Sequence, residues 1–442
     1  MREGSLEAPT RHPIDWTNPD FIDPVKLDAE VRRQFEICHG CRRCFNLCDS
    51  FPRLFKLVDD AGDEELAGVA SADFKAVADA CTLCDMCYLT KCPYVPPHEF
   101  NLDFPHLMVR YRAAEHAKNG VGFWDRQLTE TDRNGKLAGL APGLANWGSA
   151  RGNALTRPAL EAVAGVDRRV ELPKYYSPTF TDRAAAAPPA RAIDAPAKGR
   201  KAVIFATCFA NYNNPDLGLA ALKVLVKNGV DVVVAYPGCC GMPQLEQGDL
   251  ARVAEAAKTI ARAMKPYLDD GCDVIAPVPS CGLMLKFEWP LIVKDDPDVK
   301  RLSRSTFDIC EYVVDIAKKE GLAPGLNAIE GGVALHLACH ARAQNMGPKG
   351  AEMLRLIPGN AVAVIERCSG HGGSWGIKTG NFDVATKFAR QTVQKGIAAN
   401  KAALASECPL AGKHLAQGYE AEGKSVRAEH PIEIFARAYG LM

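Results

Sequence analysis

The sequence has no apolar run near the roughly 20 residues a helix needs to cross a bilayer; its 47% hydrophobic content lies in short segments. It has no charge excess either, with 53 Lys plus Arg against 53 Asp plus Glu. A balanced chain exerts no long-range pull on nucleic acid, so no nucleic-acid partner is expected. The first 20 residues are polar, carry Pro9, Pro13 and Pro19, and lack the apolar core of a secretory signal. The expected location is cytoplasmic, with any membrane contact peripheral, on the inner face, or made through a partner. No Gly-x-Gly-x-x-Gly follows a predicted strand, which argues against a resident flavin or nicotinamide site. Gly370-His371-Gly372-Gly373 follows a strand but has the wrong spacing.

Cysteine is what the chain has: 17 residues, which in the absence of a secretory signal point to a reducing interior and to metal or cluster chemistry. The first run is Cys38-x2-Cys41-x2-Cys44-x3-Cys48 and the second is Cys81-x2-Cys84-x2-Cys87-x4-Cys92-Pro93. Three thiolates on a tight loop and turn hold three corners of a four-iron cube, and the fourth reaches a neighbouring one. Two such runs form the two-cluster ferredoxin pattern. The expected wiring is crossed, with Cys38, Cys41, Cys44 and Cys92 on one [4Fe-4S] cluster and Cys81, Cys84, Cys87 and Cys48 on the other. Structural zinc prefers two separated pairs around one tetrahedron, and cysteines two residues apart are too cramped for several good disulfides. Two details depart from the pattern: Asp49, not proline, follows Cys48, and four residues separate Cys87 from Cys92.

Periodicity divides the chain into an irregular leader (1–30), a helical ferredoxin-like unit (31–115), a helical region ending in an Ala/Pro linker (116–200), and two α/β units (201–325 and 326–442). The 32 residues between the cysteine runs read as two packed helices with an acidic turn from Asp59 to Glu65. Leu137, Leu140, Leu144 and Trp147 are expected to form an interdomain core patch; the alternative is a surface for a partner or membrane. Residues 184–200 read as a flexible linker.

After residue 200, short apolar strands alternate with helices, which implies parallel sheets. In the first half the predicted strands end at Cys208, Cys239-Cys240 and Cys281; in the second they end at Cys339, Cys368 and Cys408. The steps are 31 and 42 residues in the first half and 29 and 40 in the second, an internal repeat. Ligands in such sheets sit beyond the carboxyl ends of the strands, and helix N-termini there stabilise thiolates. Cys272 and Cys310 are expected to pack in apolar surroundings.

The arrangement Cys208-x30-Cys239-Cys240-Gly241-x38-Ser280-Cys281 resembles the cysteine-rich CCG domain of heterodisulfide reductases and their relatives. A two-cluster module followed by two CCG domains is similar to the iron-sulfur subunits of anaerobic glycerol-3-phosphate, glycolate and lactate oxidising enzymes. Cys208-Phe-Ala-Asn-Tyr-Asn-Asn-Pro-Asp-Leu-Gly218 and Glu429-His430-Pro431-Ile432 agree with that family beyond the cysteines. The resemblance implies an α+β multidomain chain: an N-terminal helical two-cluster module, then two parallel-sheet CCG domains. It implies a third iron-sulfur cluster on Cys208, Cys239, Cys240 and Cys281. The family ends each half with Cys-x2-Cys, which is missing here: Val278 and Met284 flank Cys281, and Ala405 and Ala411 flank Cys408. The second motif has become Cys368-Ser369-Gly370. The second half therefore keeps Cys339, Cys368 and Cys408, with His340 and His371 nearby. A fourth cluster with a histidine ligand and a site that has lost its cluster both remain open.

The function implied is electron transfer, by an iron-sulfur subunit that links a flavin-containing dehydrogenase, or another redox protein, to a quinone or further acceptor. A heterodisulfide-reductase-like enzyme acting on a CCG-bound cluster is the alternative, and a non-catalytic redox sensor the third reading.

Overall fold

The computed structural model describes residues 8–62, 65–190 and 194–442. Met1 to Glu7 of the leader, Asp63 and Glu64 of the expected acidic turn, and residues 191–193 of the linker lie outside them.

The first helix, Pro24–Cys41, starts where Asp23 accepts the Lys26 N–H at 2.9 Å and where proline fills the first turn. It stops at Arg42, whose backbone is left-handed (φ 50°). Cys38 and Cys41 therefore ride the last helical turn, not the loop expected from spacing. Helices Ser50–Asp59 and Phe74–Ala80 follow as the two-helix insert. Phe35 meets Phe74 edge-on at 5.3 Å and Phe104 at 5.9 Å, and Phe51 lies 4.6 Å from Phe104. These buried rings join the insert to the long helix Phe104–Asn119. The extra residue between Cys87 and Cys92 is absorbed by a short helix, Met86–Thr90, and the Cys92 N–H donates to the Cys87 carbonyl at 2.8 Å.

Two parallel four-stranded sheets follow. The first comprises β1 (Lys201–Phe205), β2 (Asp231–Ala235), β3 (Asp273–Ala276) and β4 (Thr306–Asp308), in the order β2-β1-β3-β4. The second comprises β5 (Val333–His336), β6 (Val362–Ile365), β7 (Ala403–Ser406) and β8 (Ala428–Glu429), in the order β6-β5-β7-β8. The orders are the same, so the repeat in the sequence is a repeat in topology. β4 and β8 were not legible, being three and two residues long with no apolar run. The halves are not separate bodies. Helix Pro431–Ala438 of the second half packs on helix Pro215–Lys227 of the first, and one continuous core runs through both and into the N-terminal helices.

Three expectations need correction. Leu137, Leu140, Leu144 and Trp147 do not form a core patch; all four are exposed, Leu140 at 83%. The inward positions of that region are held by groups such as Gly135 against the Tyr212 ring and the buried Arg157, which donates to the Ser149, Asp167 and Val170 carbonyls. The apolar side is left facing outward. The Ala/Pro segment is not a free tether: Ala195 and Ala197 are buried, and the Ala197 N–H donates to the Asn228 carbonyl at 2.9 Å. The irregular leader is shorter than expected, since helix Pro24–Cys41 takes residues 24–30, and its described part is tied down, with the Thr10 N–H on Pro96, the Ile14 N–H on Leu291 and the Trp16 indole on Ile292.

Arg11 completes that anchoring. Its guanidinium meets Asp85 at 2.8 and 2.9 Å, Asp103 at 2.8 Å and Glu288 at 3.2 Å, and His106 lies 3.1 Å from Glu288. One side chain thus joins the leader, the second cysteine run, the long helix and the first α/β unit. Burial pushes the Asp103 carboxyl up, and His106 and Arg11 more than offset it, leaving its pKa lowered. Arg11→Met would leave three carboxylates facing His106 alone. The expected loss is about 3–5 kcal/mol of stability, read as a lower urea midpoint under anaerobic conditions; an unchanged midpoint contradicts this network.

Candidate functional site

Every predicted cysteine of the two α/β units lies beyond the carboxyl end of its strand. Cys208, Cys239, Cys240 and Cys281 follow β1, β2 and β3, and Cys339, Cys368 and Cys408 follow β5, β6 and β7. The motif glycines set the turns. Gly241 (φ 85°) and Gly370 (φ 74°) are both left-handed, placed just after Cys240 and Ser369.

The fold sorts the thiols into groups. Burial pushes the Cys38 thiol up, and Cys92, Cys44 and Cys41 push it further. Cys44 rises to about 12 by burial, then by Cys92 and Cys41. These four cysteines line one small cleft with Ile37, Arg43, Phe51, Pro93, Tyr94 and Leu102. Cys48 is raised by burial and then by Cys84 and Cys81, not by its own run. Cys87 is raised by burial, then by Cys84, Cys81 and Cys48. Cys92 thus lies with the first run in this cleft, and Cys48 has Cys84 and Cys81 of the second run as neighbours.

The first α/β unit brings its four cysteines together as neighbours. Cys239 is held well below the usual thiol range by hydrogen bonds from Cys208 and then Cys240. Cys240 in turn is raised by its bonds to Cys239 and Cys281. Cys208 is raised by Cys239, then by burial and Cys281. In the second unit Cys339 is raised by burial, then by Cys84, Cys368 and Cys408. Cys368 accepts the Gly370 N–H at 3.3 Å. Cys272 and Cys310 are buried outside all four groups.

The two histidines differ. His340 has both ring nitrogens engaged, Nδ1 with the Ser280 hydroxyl at 3.1 Å and Nε2 with the Leu83 carbonyl at 3.2 Å. His371 has a buried Nε2 without a partner among the described residues. Its ring lies 6.3 Å from that of His414, and burial first, then His414 and His340, lowers its pKa to about 3.

Sequence reasoning missed Asp132. It comes from helix Thr131–Leu140, and its Oδ2 accepts the Cys239 N–H at 3.0 Å while its Oδ1 accepts the Tyr236 hydroxyl. Burial raises this carboxyl despite the Tyr236 bond. Asp132 and Cys239 line a second cleft, with Thr131, Gly238, Gln244, Arg252 and Thr259 around them. Nothing at Asp132 signals a partner 107 residues away. Arg112 was missed in the same way; its guanidinium binds the Ala78 and Cys81 carbonyls and that of Glu246.

The donor chemistry fits iron-sulfur clusters. Buried thiols that raise one another's pKa need a cationic core to become thiolates.

The motif glycines give a test. A Cβ on Gly241 would find Val253 at 3.5 Å, so Gly241→Ala should cost only the left-handed strain, about 1–3 kcal/mol. A Cβ on Gly370 would overlap the Ala385 carbonyl. Gly370→Ala should therefore lower the thermal midpoint clearly more than Gly241→Ala; equal losses would contradict the packing of this loop.

Comparison with known proteins gives two matches to the cysteine-rich (CCG) domain, at residues 202–286 and 333–415. The C subunit of anaerobic glycerol-3-phosphate dehydrogenase from Escherichia coli K12 is 26% identical over 287 residues, 64% of this chain and 69% of that protein. The B subunit of fumarate reductase (CoM/CoB) from Methanothermobacter marburgensis is 27% identical over 247 residues, 54% of this chain and 47% of that protein, about half its length. Lactate utilization protein A of Geobacillus kaustophilus is 30% identical over 194 residues, 41% of this chain and 76% of that protein.

Proposed function

The chain belongs to the family of CCG cysteine-rich-domain proteins and carries two copies of that domain, and from this we propose that it is the iron-sulfur electron-transfer subunit of an oxidoreductase. The observation that carries the reading is the sorting of distant thiols into groups around the Cys38, Cys48 and Cys208 sites. Clusters held there supply one-electron oxidation and reduction. Cys38, Cys41, Cys44 and Cys92 would hold one [4Fe-4S] cluster, and Cys48, Cys81, Cys84 and Cys87 a second. Cys208, Cys239, Cys240 and Cys281 would hold a third, with Asp132 fixing the Cys239 backbone. Cys339, Cys368 and Cys408 make a three-thiol site. His340 is committed elsewhere, so His371 is the histidine free to complete it.

The relatives are named as subunits of a glycerol-3-phosphate dehydrogenase and a fumarate reductase and as a lactate utilization protein. The organic step accordingly belongs to a flavin dehydrogenase partner, and the electrons go on to a quinone or another acceptor. Chemically reduced protein should pass electrons to quinone analogues and not to disulfides; the reverse preference would favour the heterodisulfide-reductase-like alternative. Cys240→Ser should remove one paramagnetic signal and leave the two from the N-terminal runs. Loss of all signals together would contradict separate sites.

Contact with a membrane would be peripheral. No helix among the described residues is long and apolar enough to cross one. Leu137, Leu140, Leu144 and Trp147 are exposed, and the exposed Arg133 and Lys136 lie on the same helix as Leu137 and Leu140. Apolar side chains beside positive charge suit an anionic bilayer surface. The protein should sediment with anionic vesicles and much less with neutral ones, and Leu140→Ser with Trp147→Ser should abolish the difference. Equal sedimentation with both would contradict this role.

A further inference from the structure

Two short helices meet at the rim of the cleft beside Cys239. Helix Phe123–Thr129 ends there, and helix Thr131–Leu140 begins there, with Glu130 between them. Thr129, Glu130, Thr131 and Asp132 all line the cleft, and helix Leu250–Asp269 adds Arg252, Ala256 and Ile260. The volume is about 260 Å³, below the roughly 300–1,000 Å³ of a pocket that encloses a drug-sized ligand. The cleft therefore takes one small ring system and leaves any chain attached to it outside.

Hydrogen-bond accounting narrows the chemistry. Arg252, the one cation of the described lining, gives its guanidinium to both Glu130 oxygens at 2.6 Å. Asp132 is taken by the Cys239 N–H and the Tyr236 hydroxyl. The Gln244 amide donates to the Thr129 carbonyl at 3.1 Å, and the Thr259 hydroxyl donates to Glu255 at 3.3 Å. Thr131 differs from these. Its hydroxyl oxygen is buried without a nitrogen or oxygen partner among the described residues, and it acts only on the Cys208 and Cys239 sulfurs. Sulfur is a weak acceptor, so this hydroxyl can still donate to a ligand oxygen. An anion would find no unpaired cation here and would bury its charge at a cost. The fitting ligand is neutral and offers an acceptor.

The far ends of the same two helices carry exposed apolar side chains, Phe123 and Trp124 on one and Leu137 and Leu140 on the other. At 1.5 Å per residue, Phe123 lies about 9 Å along its helix from Thr129, and Leu140 about 13 Å along its own from Thr131. Polar cleft and apolar surface are thus joined by single short helices.

We infer that this cleft binds the ring of a lipid-soluble quinone, with a ring carbonyl accepting from the Thr131 hydroxyl, the ring against Ala256 and Ile260, and the tail leaving toward the exposed ends of the two helices. The inference rests on the electron-transfer reading above and gives its acceptor a place. It concerns binding alone, so no bond forms or breaks and no electron moves in it. A quinone is uncharged, accepts through its carbonyls and carries a bilayer-soluble tail. A hydroxy acid or a phosphate ester is an anion, which the same lining refuses.

The test is equilibrium dialysis of the full chain, purified without air. The probe is a tailless naphthoquinone methylated at both positions that thiols attack, and an anthraquinone sulfonate is the anionic comparison. Wild type should bind one equivalent of the neutral probe and hold the sulfonate at least about tenfold more weakly. Thr131→Val should weaken the neutral probe about fivefold, the loss of one hydrogen bond. Ala256 is half-buried on its helix, so Ala256→Phe fills the cleft without entering the core and should abolish binding. That variant keeps the test decisive if Thr131→Val does not fold. No binding by wild type, unchanged binding in Ala256→Phe, or equal binding of the sulfonate overturns the inference, and unchanged binding in Thr131→Val overturns the assigned partner of the carbonyl. Reduced protein that still passes electrons to quinone analogues then leaves the electron-transfer reading standing. Binding by a protein that holds no iron or sulfide overturns that reading and keeps the cleft assignment.

Discussion

Crowding of buried thiols is the constraint on which this molecule depends. Fifteen cysteines from strands, turns and helices across the chain are gathered into groups, and at Cys38, Cys87 and Cys339 burial and neighbouring thiols both oppose the thiolate form. A fold gains nothing from that arrangement unless a cationic core makes thiolates favourable. The remaining architecture serves to bring the groups together: an aromatic core that sets the two N-terminal runs side by side, two repeated parallel sheets that deliver cysteines at one edge, and a charged anchor at Arg11 that ties the leader to three other regions.

Much of this was legible in the sequence, because ligand spacing is local and strand-end cysteines follow from topology. The six strands that precede the cysteines and the repeat could be read from Cys208 to Cys408. The contributions of Asp132, Arg112 and Arg11 could not be read. Each acts on a segment far away in the chain, and an isolated Asp or Arg carries no periodic signal. The Leu137–Trp147 stripe misled for a related reason. Amphipathic spacing shows that a face is apolar but not what covers it, and here the chain itself leaves it exposed.

The second α/β unit shows how a motif can degrade while its setting persists. Its sheet order, its left-handed motif glycine and its strand-end cysteines match the first unit, although Ser369 replaces a thiol. His340 makes the difference between a nearby histidine and an available one visible, since its two nitrogens are spent on Leu83 and Ser280. Proximity in sequence to a lost ligand was the reason to consider it, and its two hydrogen bonds leave neither ring nitrogen free.

The most direct measurement is the iron and acid-labile sulfide content of protein purified and held without air. At four irons per cluster, the account predicts about twelve irons per chain with matching sulfide, or about sixteen if the second unit is loaded. Zinc in place of iron, or a colourless protein with no metal, would contradict it.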